Sequence, residues 1–229
     1  MNPRLLEVEG LSKSFGVYQA LKEASFSIAK GEILGVIGPN GAGKTTLLES
    51  VAGLLPADSG VFVPSERKNL LFYMPDGAKP FAEQKGQALI TLFLGLYAAD
   101  PRKAASFTER LALKPALNKR VGELSKGTLK RLLLLLALLT PQPLLLLDEP
   151  FDGLDPHQVR AVMALLRETR DGGRSLILSI HQLADAERVC DRLLLLCAGQ
   201  VVGVGTLEEL RKNAKLSSGG LEEVFFALT

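Results

Sequence analysis

Three features of this 229-residue sequence predict an α/β fold built on a mostly parallel sheet. The apolar run "EILGVIG" is of the kind found in buried parallel strands, and it passes directly into a glycine-rich turn and a helix-period segment. A second apolar run, "LLLLDEP", ends in two carboxylates. In the last third of the chain, strand and helix signals alternate, as in a sheet covered by helices on both faces.

Taken in order, "LLEVEG" and "ASFSIAKG" alternate apolar and polar residues and read as half-buried antiparallel strands ending at glycine. "EILGVIG" leads into "PNGAGKTTLLESVAGLLP", a helix with Leu47, Leu48 and Val51 on one face and a stop at Gly53 and Pro56. A strand is read in "NLLFYMP". The middle is helical: Leu89, Leu92, Phe93 and Leu96 recur at helical spacing, and Asp100-Pro101 opens a further helix to about Leu113. Residues 77–125 are therefore expected to form a small helical subdomain, with 1–76 and 126–229 as the α/β core and its antiparallel part. Ser125 is placed to cap a leucine-rich helix. Beyond it come the strand "LLLLDEP", a helix capped by Asp155, the strand "SLILSI", and a hairpin turning at Ala198-Gly199. Thr206 with Glu209 makes a capping box for a short helix.

The leucine run, Leu132 to Leu139, invites comparison with a membrane span, but such a span needs about 20 mostly apolar residues. Lys130 and Arg131 precede the run and Pro141 and Pro143 follow it, so a buried core helix is predicted. The N-terminal "MNPRLLEVEGLSKSFG" has glutamates where a secretory leader needs its apolar region. With 47% hydrophobic and 23% charged residues the chain has an ordinary globular composition. A net charge of +2 without a basic stripe gives no footprint for nucleic acid. Cys190 and Cys197 lie in apolar surroundings and read as buried thiols.

"GPNGAGKT" fits the phosphate-binding pattern G-x-x-x-x-G-K-[ST]. Gly38, Gly41 and Gly43 allow the tight turn that aims successive N–H groups at phosphate oxygens; Pro39, Asn40 and Ala42 complete the loop. The helix N-terminus adds its partial positive charge. Lys44 can reach the β- and γ-phosphates of a nucleotide, and the Thr45 hydroxyl, beside Thr46, can ligate Mg²⁺. A P-loop NTPase core is the fold this motif predicts. "LLLLDEP" places Asp148 and Glu149 at the carboxyl edge of the sheet, Asp148 to hold Mg²⁺ through water and Glu149 to act as general base.

Taken together and in order, these motifs resemble the ATP-binding subunit of ABC transporters over essentially the whole chain. The resemblance implies that Phe15, in "KSFG", stacks on adenine, and that His181, just after "SLILSI", contacts the γ-phosphate. It matches "LSKG", with Ser125, Lys126 and Gly127, to the family signature. It also matches "GLDP", which contains Asp155, to the loop lying across a dimer interface. It further implies a head-to-tail dimer with a second ATP-binding subunit, each ATP lying between one subunit's P-loop and the other's signature. A separately encoded membrane permease, an exporter function and a place on the inner face of the cell membrane follow by the same analogy.

Two motifs depart from the family pattern. Lys126 replaces the first signature glycine and Thr128 the glutamine that follows. After "NLLFYMP", Asp76 stands where the family usually places a glutamine that touches Mg²⁺ and the attacking water. A carboxylate there can ligate Mg²⁺, or it can serve as a turn residue before Gly77. Two other classes stay open at this level: a soluble ABC ATPase acting on ribosomes or DNA, and a slow nucleotide-binding regulator.

Overall fold

The computed structural model of the chain describes residues 3–64 and 69–229. Met1 and Asn2, which open the stretch weighed as a possible leader, lie outside them. Two sheets form the framework. The smaller joins β1 (Arg4–Phe15), β2 (Tyr18–Ala29) and β4 (Ser59–Val63) in the order β2-β1-β4, with antiparallel pairing throughout. The larger has the order β5-β6-β7-β3-β8-β9, from β5 (Leu71–Met74), β6 (Leu144–Asp148), β7 (Ser175–Ile180), β3 (Ile33–Ile37), β8 (Arg192–Cys197) and β9 (Gln200–Gly205). Its pairs are parallel except β8 with β9.

The expected strand ends at Gly10 and Gly31 are half correct. β1 runs through Gly10 to Phe15, because a register shift between Val8 and Leu11 absorbs the glycine as a bulge. β4 was not foreseen: "SGVFV" is largely exposed, so it lacks the apolar alternation that marks a strand with one buried face.

The parallel sheet is buried on both faces, which explains its unbroken apolar runs. On β6, Leu145 and Leu147 pack into one core and Leu144 and Leu146 into the other, so period-2 geometry is present even where every residue is leucine. Helix α1 (Lys44–Ala52) fills the second core together with β1 and β2. The first core holds α2 (Gly86–Tyr97), α3 (Pro101–Arg110), α4 (Lys126–Leu139) and α5 (Pro156–Asp171). Three short helices complete the chain: α6 (Leu183–Val189), α7 (Leu207–Asn213) and α8 (Leu221–Leu228). The Thr206–Glu209 capping box opens α7, and Ala198 and Gly199 both take positive φ at the β8–β9 turn.

α4 carries the leucine run, and every residue from Leu129 to Leu139 is buried. Among the described residues, no helix is long and apolar enough to cross a membrane. Leu134 is fully buried between the sheet and the inserted helices. Leu134→Ala is expected to cost about 2–5 kcal/mol, read as a lower denaturant midpoint with unchanged slope.

The inserted helices differ from expectation in two ways. α3 ends at Arg110 rather than near Leu113, because Ala112 takes a left-handed conformation (φ 50°). On α2, Leu89 and Ile90 are the buried pair, whereas Leu92 and Leu96 face solvent at 47% and 66% exposure. The helix is apolar nearly all round, so spacing alone did not single out the buried stripe.

Candidate functional site

Parallel strands share one direction, so the segments following β3, β5, β6 and β7 all emerge at the same edge of the sheet. Those segments carry the phosphate loop, Asp76, the Asp148-Glu149 pair and His181. A cavity of about 390 Å³ opens there, within the range of small-molecule pockets. It is lined by Phe15, Tyr18, Ala20, Asn40, Gly41, Gly43, Lys44, Thr45, Thr46, Glu149 and His181.

The loop geometry explains its glycines. Gly43 has φ 105°, and a side chain there would come within 2.6 Å of the Ala20 carbonyl. Lys44 is 6% exposed, and its ammonium donates to the Gly38 and Pro39 carbonyls at 2.7 and 3.1 Å. Burial holds this lysine below the usual range, while Glu149 and then Asp148 pull it back up. The ammonium thus sits on two exchangeable carbonyl acceptors inside the loop, next to two carboxylates.

Asp148 is 2% exposed and fully engaged. Thr45 Oγ1 donates to its Oδ2 at 3.0 Å, the Tyr73 hydroxyl donates to the same oxygen at 3.4 Å, and Ser179 donates to Oδ1. Burial and the Asp148 charge hold the Tyr73 phenol protonated well beyond the usual range. Ser179 also accepts the Glu149 N–H at 2.8 Å, so one hydroxyl fixes both acids. Glu149 takes a left-handed backbone (φ 50°), uncommon for a residue with a side chain, and its Oε1 contacts His181 Nε2. Sequence reasoning missed Ser179, Tyr73 and Tyr18. A lone serine inside a buried strand, two residues before His181, was a readable signal for the first. Tyr18 lines the cavity beside Phe15, its register partner on β1, and donates to the Gly41 carbonyl at 3.1 Å.

The signature residues stand elsewhere. Ser125 caps α4, its Oγ accepting the Thr128 N–H at 3.4 Å. Gly127 packs so closely on the GLDP loop that a side chain there would lie 2.5 Å from the Gly153 carbonyl. Lys126 pairs with Asp152, and that hydrogen bond raises the lysine and lowers the aspartate from their usual ranges. None of Ser125, Lys126 and Gly127 lines the cavity. Asp155 also lies off it and caps α5, exchanging hydrogen bonds with Gln158. Asp76 occupies a turn after β5, and its carboxylate reaches Lys130 Nζ at 2.5 Å. Carboxylate oxygens of Asp76, Glu149 and Asp152 lie within 4.8 Å of one another.

Comparison with known proteins agrees with this geometry. The profile of the ABC transporter family matches residues 21–152. An uncharacterised ABC transporter ATP-binding protein of Methanocaldococcus jannaschii is 33% identical over 219 residues, covering 93% of this chain and 82% of that protein. The ABC-type transporter ATP-binding protein EcsA of Bacillus subtilis is 29% identical over 238 residues, covering 98% of this chain and 96% of that protein. The Nod factor export ATP-binding protein I of Rhizobium etli is 33% identical over 221 residues, covering 90% and 69%. A solved structure described as the ATP-binding subunit of an ABC transporter superposes with a TM-score of 0.89 at 28% identity, covering 97% of this chain and 98% of that one. The profile spans more than half of the chain and the relatives most of it: the chain belongs to the ABC transporter family, as one of its ATP-binding, ATP-hydrolysing subunits.

Proposed function

We propose that this subunit is the motor of a transporter whose permease is a separate polypeptide, and that it works as a head-to-tail dimer enclosing two ATP molecules. One observation carries the reading. Phe15, Lys44, Thr45, Glu149 and His181 share one cavity, while the capped N-terminus of α4 with Ser125 stands outside it. A helix N-terminus whose capping hydroxyl can donate a hydrogen bond suits a phosphate, and a second copy can bring it to the cavity of the first. The resemblance to Nod factor export proteins favours export. A position at the cytoplasmic face, through the permease, follows from that role.

In this reading the half-exposed Phe15 ring stacks on adenine. Lys44 exchanges the Gly38 and Pro39 carbonyls for β- and γ-phosphate oxygens. Glu149 takes a proton from the water that attacks the γ-phosphorus as the bond to the β-phosphate oxygen breaks, and His181 donates to the γ-phosphate. The oxygen donors Thr45 and Asp148 fit a hard cation such as Mg²⁺, and because Asp148 is already held by three hydroxyls, contact through water suits it best. When bound, that ion neutralises phosphate charge. Asp76 faces the same acidic cluster.

Phe15→Ala is expected to weaken ATP binding about tenfold, since base–aromatic stacking contributes roughly 1–3 kcal/mol. Thermal stability should be unchanged because the ring is 51% exposed; titration with a fluorescent ATP analogue checks both claims. The partner is tested by recovering the chain from its own host's membranes in mild detergent. An integral membrane protein at fixed stoichiometry supports the reading. Ribosomes or nucleic acid in its place would assign the chain to the soluble class.

A further inference from the structure

Lys130 belongs to none of the roles above, yet its side chain is only 3% exposed. It lies one turn into α4, at the head of the leucine run, with its ammonium at the carboxyl edge of the sheet. There it makes two contacts: the Asp76 carboxylate at 2.5 Å and the Asp148 carbonyl at 3.3 Å. An unpaired ammonium at that depth is strongly disfavoured, so Asp76 is a structural necessity for Lys130. The converse also holds. Asp76 shares a cluster with Glu149 and Asp152, and three carboxylates this close repel one another unless cations stand among them. Two lysines do so, Lys130 on Asp76 and Lys126 on Asp152, while the His181 ring contacts Glu149. Of these, Lys126 and His181 are 61% and 37% exposed and can exchange partners cheaply. Lys130 cannot.

We propose that Lys130 is a positioning residue for ATP hydrolysis: it cancels the charge of Asp76 and clamps the Asp148 carbonyl, fixing the charge and geometry of the acidic cluster around Glu149. Two oppositely charged side chains, brought together from α4 and the turn after β5, then present no net charge beside the phosphates. An aspartate can stand there without adding an anion to the site. The clamp on the Asp148 carbonyl bears directly on the next residue, Glu149, whose left-handed backbone needs outside support. Besides Asp76 and Lys130, Glu149 is faced by Lys44 on α1, Lys126 on α4, Asp148 on β6, Asp152 after β6 and the titratable His181 after β7.

The inference rests on Glu149 being the base, so Glu149→Gln is carried as a separate arm. Wild-type turnover in that variant would remove the base assignment itself. The test compares Lys130→Met, Asp76→Asn and the double variant, all bound to ADP, by titrating Mn²⁺ with electron paramagnetic resonance and then measuring ATPase kcat and KM. Lys130→Met leaves one extra negative charge at the cluster and Asp76→Asn one extra positive charge. Cation affinity should therefore rise about threefold or more in the first and fall by a similar factor in the second. It should return to wild type in the double variant. Both single variants should lose kcat about tenfold at near-constant KM, and the double variant should recover most of it. A merely structural pair would lower stability without moving cation affinity in opposite directions. If Asp76→Asn does not fold because it leaves the buried ammonium unpaired, Lys130→Met and the double variant still decide the matter: unchanged cation affinity in Lys130→Met, or no recovery in the double variant, overturns the proposal.

Discussion

Glu149→Gln is expected to bind ATP with near-wild-type affinity while turnover falls about 10²–10⁴-fold, the contribution of a positioned general base. Glutamine keeps the size and one acceptor oxygen of the side chain, and the backbone anchor from the Glu149 N–H to Ser179 is untouched. What disappears is the group that can accept the proton of the attacking water. The contact with His181 weakens as well, which leaves that histidine free to stay on the γ-phosphate. The variant should therefore accumulate with ATP uncleaved. Single-turnover hydrolysis of labelled ATP checks this; a rate within threefold of wild type would take the base role from Glu149.

Lys44→Ala is the second large effect, and it acts on binding. The ammonium sits on two loop carbonyls, a short movement from any phosphate that enters the loop. A hydrogen bond to a charged group contributes roughly 1.5–3 kcal/mol, so ATP affinity should fall by about ten- to a hundredfold and hydrolysis to background. Folding should survive, because removing the lysine also removes a partly desolvated charge. Calorimetric titration with ATP, alongside an unfolding curve, separates loss of binding from loss of structure. The pairing of this variant with Glu149→Gln is informative: one should lose affinity and the other only turnover.

The site was legible where chemistry is written into contiguous residues. "GPNGAGKT" lies between a strand and a helix, and the bend demanded by Gly43 is visible in both sequence and structure. "LLLLDEP" announces a buried strand delivering carboxylates to the sheet edge, because an all-leucine strand must be covered on both faces. Chain order alone could not place Asp76. Its partner Lys130 lies 54 residues away in sequence and looked like a polar flank of an apolar helix. The contact depends on how α4 packs across the end of the parallel sheet, which no local pattern encodes. The same holds for Leu92 and Leu96, whose exposure depends on which side of α2 the core occupies. β4 was missed for the opposite reason: it pairs through its backbone with β1 while most of its side chains face water and Phe62 alone of its five packs on the core.

Exposed and buried ion pairs also divide the labour around the acidic cluster. Lys126 with Asp152 is a surface pair that a competing phosphate can displace at small cost. In a head-to-tail dimer, the ATP of the opposite subunit supplies such a phosphate. Lys130, buried on Asp76, is expected to keep its partner during such an exchange. The signature could then respond to the neighbouring nucleotide without disturbing the Asp76–Lys130 pair beside Glu149.

The central claim is that Ser125 of one subunit completes the ATP site of another. Light scattering on the Glu149→Gln protein tests it, with Mg²⁺ present and ATP either added or withheld. The mass should double with ATP and return to that of a single chain without it. Adding Ser125→Glu, which sets a negative charge against the incoming γ-phosphate, should leave a single chain that still binds ATP. A Glu149→Gln protein that binds ATP yet remains a single chain, or a dimer that forms equally well with Ser125→Glu, would contradict the account.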